Sequence, residues 1–176
     1  MVAGCGSTRP ETPASTPTPT PVASTPTSTV DPTDAAIINA YGQAMAAWVA
    51  AGADPNTDSH YPGIDQWYTG YELSYILGWL DLIAQVGGEV VVGTYTPHPV
   101  VTSVDGSTAT VQDCGWDAQY VADKGSTTPA SPQPYGWTTA SSWDNRTVTM
   151  VLQSGTWQIS DEVSEATPCT PASASP

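Results

Sequence analysis

The stretch YELSYILGWLDLIAQVGGEVVVGTYTPHPVVTSVDG, residues 71–106, decides the fold, because the spacing of its apolar residues changes halfway along. Leu73, Ile76, Leu77, Leu80 and Ile83 recur at three and four, which places them on one face of a helix over about Tyr71 to Val86. Gly87-Gly88 ends that helix. Beyond it the period becomes two: Glu89 to Tyr95 and Pro99 to Val104 are rich in Val and Thr, and Asp105-Gly106 is a hairpin signal.

Upstream of this stretch lies a second helix. Asp31 is suited to cap it, Pro32 sits at the first turn where a missing N–H costs nothing, and Asp34 lies at the positive dipole end. Ile37, Ile38, Tyr41, Met45, Trp48 and Val49 follow at helical spacing until Gly52. Residues 53 to 70 leave room for one short turn over Ile64 to Tyr68. Downstream, Thr108 to Tyr120, Trp137 to Leu152 and Thr156 to Val163 read as strands, the last two joined by Ser154-Gly155. The segment Lys124 to Tyr135, with its three prolines, reads as a long surface loop. Helices first and an antiparallel meander afterwards predict an α+β domain with helices packed on a curved sheet.

The N-terminal thirty residues have another character. From Ser7 to Val30 the chain is almost wholly Ser, Thr, Pro and Ala, which cannot bury a core and favours an extended, solvated strand. Val2-Ala3-Gly4-Cys5 before it resembles the lipobox of bacterial lipoproteins, with Cys5 as the lipid-bearing residue. The basic and apolar stretches of an export signal do not precede Cys5 in these residues, so a start upstream of Met1 or a trimmed N-terminus is part of the expectation. The division expected is 1–5 as a signal remnant, 6–31 as a disordered tether, 32–169 as the folded domain and 170–176 as a disordered tail. The expected location is the outer face of the cytoplasmic membrane, with the bilayer reached only through the lipid.

Seventeen Asp and Glu stand against three Lys and Arg, a net charge of −14. Outside the first thirty residues only Lys124 and Arg146 are basic. Such a surface repels phosphate backbones, which excludes nucleic acid as a partner. If Cys5 is lipidated, Cys114 and Cys169 remain as a pair in an oxidising compartment, as a disulfide or as two free thiols.

The two N-terminal helices, the Gly87-Gly88 break, the strand with Asp113-Cys114, the Pro/Ser loop, the last strand Gly155-Thr156-Trp157-Gln158-Ile159 and the late Cys169 resemble the NTF2-like lipoproteins of actinobacteria. That resemblance implies a cone of helices and sheet around a pocket. Enzymes of this fold use a pocket carboxylate with His, Tyr or Arg. The groups here are Asp113, Tyr41, Tyr71, His60 and His98, in no paired constellation, so no catalytic residue is assigned. Asp54, Asn56, Asp58 and Asp65 faintly resemble a calcium loop, but Ser59 replaces the needed Gly, and neither a metal nor another cofactor is expected.

The expected function is non-catalytic binding, of a small apolar ligand or a cell-envelope protein, by a monomer or dimer. A small hydrolase or isomerase is the alternative, and a phage-encoded surface lipoprotein blocking superinfection is a third. Trp48, Trp79 and Trp157 are expected in the core. A mainly apolar pocket is expected where the helices leave the sheet uncovered, with Trp67, Tyr71, Trp116 and Trp137 near its rim and Asp113 within reach. An open cavity with a buried Asp113 would favour chemistry, and a cone packed shut would favour the outer surface.

Overall fold

Helix α1 (Pro32–Ala53) starts where the capping residues put it: Asp31 accepts a hydrogen bond from the Thr33 amide at 2.7 Å. The computed structural model describes Met1 and residues 31–55, 61, 63–134 and 137–171. Cys5, the tether, Asn56, Asp58, His60 and the end of the tail lie outside these residues. After α1 come the single turn α2 (Ile64–Trp67) and the helix α3 (Gly70–Val86). Among the described residues no helix is long and apolar enough to cross a membrane.

Among the described residues seven strands follow: β1 (Glu89–Val92), β2 (Tyr95–Thr96), β3 (Pro99–Asp105), β4 (Thr108–Asp117), β5 (Tyr120–Asp123), β6 (Ser142–Gln153) and β7 (Thr156–Ser164). The main sheet is antiparallel in the order β2, β4, β6, β7, and β3 continues along the same edge of β4 that β2 occupies. β1 and β5 form a separate two-stranded ladder.

This is the α+β class read from the sequence, but not a simple meander. Two segments read as continuous strands each break, 89–95 at Gly93 and 108–120 at Ala118 and Gln119. The breaks face each other. Ala118 donates its amide to the Thr94 carbonyl at 3.0 Å, and Gly93, at φ 102°, sits so close to the Ala118 carbonyl that a Cβ there would overlap it. At this shared kink the chain steps out of the main sheet into the β1–β5 ladder.

The core lies between the helices and the inner face of the sheet. Ile37, Tyr41, Ala44 and Leu80 meet Val111, Val148, Met150 and Ile159, all essentially without exposure. The entry to α3 is tied to the last strand, with Tyr68 bridging Ile159, the Thr69 amide on the Ile159 carbonyl at 2.8 Å, and the Tyr68 hydroxyl on the Ala44 carbonyl at 2.9 Å.

On the opposite face of the sheet Cys114 and Cys169 form a disulfide across 55 residues of chain. Closing a loop of that length stabilises by about 4 kcal/mol in the chain-entropy account. The tail after β7 crosses the outer face of β6 to reach it: Glu165 donates its amide to the Asn145 carbonyl, and the Asn145 side chain donates to the Thr167 carbonyl.

Candidate functional site

The inner face of the sheet changes character along its strands. On β4 the inward positions read Ala109, Val111, Asp113, Gly115, Asp117, and on β6 they read Met150, Val148, Arg146, Asp144, Ser142. The apolar ends lie under the helices. The polar ends run past the helices and form the floor of a cavity of about 450 Å³.

Asp113 stands at the boundary, fully buried, with both oxygens engaged. Oδ2 accepts from the hydroxyls of Tyr41 (2.7 Å) and Tyr95 (2.6 Å), and Oδ1 from the His98 amide (2.6 Å). Burial, then the neighbouring acids, hold Tyr41 far above the ordinary phenol range, so it remains a donor. Gly115 makes room for this bond: a Cβ at that position would overlap the Tyr95 ring and hydroxyl.

Arg146 is the cross-strand partner of Asp113 on β6 and, unlike it, lines the cavity. Its Nε donates to Asp144 at 2.5 Å and a terminal nitrogen donates to Glu162 at 2.9 Å; the other lies 3.9 Å from Asp117. The guanidinium rests over the Tyr95 ring, 4.3 Å from its centroid. Burial opposes its charge, but the surrounding acids prevail and push it further up. Glu162 reaches the inner face because of a bulge. Met150 pairs with Ile159 but Thr149 with Asp161, so Ser160 is extra and the alternation reverses.

Glu72, on α3, lies across from this floor and is buried. Burial first, then Glu162 and Asp161, raise its carboxyl to about 7. Burial likewise raises Asp117. The walls are aromatic. Trp48 and Trp79 meet edge-on at 6.4 Å, and Trp137, delivered by the loop after β5, tilts against Trp79 at 5.1 Å. That loop is held to β5 by Gln133, which bonds both the amide and the carbonyl of Val121.

The residues named from the sequence are therefore dispersed. Trp137 lines the cavity; Trp67, the last residue of α2, packs against the core. Tyr71 is 67% exposed and stacks on Tyr75. Trp116 is on the outer face, against its cross-strand partner Trp143. Asp113 sits beneath the cavity rather than in its lining. Of the tryptophans expected in the core, Trp157 is buried there, Trp48 packs against the core and also lines the cavity, and Trp79 is a cavity wall. Beside its aromatic walls, four carboxyl groups and one guanidinium line the cavity among the described residues, polar groups that the expectation did not include. Asp54 pairs with Lys124 at 2.6 Å, and no group of three metal-ligating side chains occurs among the described residues.

An α+β fold of helices on an open antiparallel sheet, with a half-open cavity at one end, describes the class to which this domain belongs. No protein-family model and no curated protein matches the chain. Among solved structures it is similar to the intermembrane space region of the chloroplast protein ARC6, with a TM-score of 0.53 and 17% identity over 73% of this chain and 93% of that one. It also resembles a protein from Kribbella flavida (TM-score 0.46, 15% identity, 75% and 89% covered). A third is a domain of unknown function with a cystatin-like fold from Nostoc punctiforme (0.42, 13%, 80% and 81%). At such identities the likeness to the first shows the fold alone, and the other two carry no argument about this chain.

Proposed function

We propose that this chain is an extracytoplasmic lipoprotein, anchored through Cys5, that presents an NTF2-like domain as a non-catalytic binding module for a small ligand. Anchoring is supported by the lipobox-like Val2-Ala3-Gly4-Cys5, the Thr/Pro-rich segment behind it and the Cys114–Cys169 disulfide, a bond that persists in oxidising compartments. Binding is carried by one observation: at one end of the domain α1, α3 and the sheet border a half-open cavity with aromatic walls and a polar floor, the usual build of a small-molecule site. Asp113 is fully committed to Tyr41, Tyr95 and His98, and Asp144 and Glu162 to Arg146, which argues for a scaffold rather than a reacting centre.

One observation favours a second reading, a small isomerase or hydrolase. Glu72 is a buried cavity carboxyl raised to about 7, the property of a general base. Two assays test these proposals. Detergent partitioning of protein expressed with its upstream codons should place it with membranes, and Cys5→Ser should release it; unchanged partitioning of the variant overturns anchoring. Tryptophan emission titrated with a panel of small molecules should respond, and Trp79→Ala should blunt the response. If turnover of any bound compound is found and lost in Glu72→Gln, the enzymatic reading replaces the binding one.

A further inference from the structure

The charge inside the cavity is unbalanced. Glu72, Asp117, Asp144 and Glu162 line it against the single guanidinium of Arg146. Arg146 is already shared among Asp144, Glu162 and Asp117 and capped by Tyr95, so among the described residues no cationic donor in the cavity is left for an anionic ligand. The deficit in the site is positive charge. Above the floor, Trp48 meets Trp79 at 76° and Trp137 tilts against Trp79 at 42°, and all three line the cavity, where an aromatic face attracts a cation held against it.

A further, independent mark is Gln119, at the kink after β4. It is 7% exposed and belongs to the cavity wall. Trp48 Nε1 donates to its Oε1 at 3.4 Å, and since an indole N–H can only donate, the amide is fixed with its oxygen toward Trp48. Its Nε2 then has no hydrogen-bond partner among the described residues. A buried donor without an acceptor costs free energy that a ligand oxygen can recover.

We propose that the cavity takes a small organic cation, an alkylammonium with an apolar body and a hydroxyl or carbonyl oxygen. The aromatic walls would hold the alkylated nitrogen, the carboxyl groups would supply the countercharge, and Gln119 would donate to the oxygen. This rests on the binding reading above and names the ligand class for the same site. The protein's net charge of −14 favours encounter with such a ligand.

The test is calorimetric titration of the full chain at pH 8 with choline, with 3,3-dimethyl-1-butanol, its uncharged isostere, and with further alkylammonium ions each paired with a neutral isostere. We expect the cation of the best pair to bind about ten-fold or more tightly than its isostere. Glu72→Gln should weaken the cation several-fold and leave the isostere unchanged, and Trp79→Ala should weaken both; far-UV circular dichroism checks that each variant is folded. Isosteres that bind as well as the cations overturn the cation inference and leave the binding module standing. If no compound of either kind binds, both fall, and a protein partner at the outer surface takes their place.

Discussion

The two ends of the cone are built from the same strands and behave as opposites. At the closed end Val111, Val148, Met150 and Ile159 are sealed by Ile37, Tyr41 and Leu80. Two residues further along β4 and β6 the inward positions become Asp113 and Arg146 and then Asp117 and Asp144, and beyond Asp113 a cavity walled by α1 and α3 opens over them. Direct packing of helix side chains on the sheet, rather than strand composition alone, divides core from cavity. The boundary is one layer of hydrogen bonds around Asp113.

The contrast is sharpest in the substitutions it separates. Ile159→Ala at the closed end should destabilise the domain by about 4 kcal/mol, because a fully buried side chain leaves a cavity that the sheet cannot collapse into; chemical denaturation measures it. Gly115→Ala, at the boundary, should cost about 2–3 kcal/mol, since the new methyl group displaces Tyr95 from Asp113 and from beneath Arg146. A Gly115→Ala protein as stable as the parent would show that the boundary layer is not what joins the two ends.

At the open end the sign reverses. Glu72 holds its proton up to about 7 in the folded state against an ordinary 4.5, so its folded-state stabilisation is complete below about 4.5 and is lost as pH rises through about 7. Facing it are Glu162 and Asp161 on β7, which oppose its ionisation, and Arg146 on β6, which assists it. Glu72→Gln should therefore match the parent near pH 4 and exceed it by ~1–2 kcal/mol at pH 8, with the figure reduced for solvent at the cavity mouth. Equal stability at both pH values would mean that Glu72 ionises freely. The smallest effect is expected at Ser142→Ala, exposed at the rim, which should stay within about 0.5 kcal/mol of the parent.

The helices and most strand limits were legible because local signals agree with the tertiary result: Asp31 caps, Gly87-Gly88 stops and Asp105-Gly106 turns. The strand breaks were not, since Gly93 and Ala118 make sense only when each is seen against the other. Part of the site was also within reach. Asp144 and Arg146 share the period-two phase of Val148 and Met150, and Glu72 is four residues ahead of Ile76 on a buried helix face, so each is a charged residue in an apolar register. Glu162 could not be found this way, because the bulge at Ser160 reverses the phase of β7. Trp116 looked like a rim residue by its position near a strand end, but its phase sends it outward to Trp143.

The open end is the centre of the account, and the indole N–H resonances of the seven tryptophans report on it directly. In nitrogen-labelled protein titrated with the same panel of alkylammonium ions and neutral isosteres, the signals of Trp48, Trp79 and Trp137 should move with ligand, while Trp157 in the closed end and Trp116 and Trp143 on the outer face stay in place. Shifts at Trp116 and Trp143 with none at Trp79 would contradict the account and move the binding surface to the far side of the sheet.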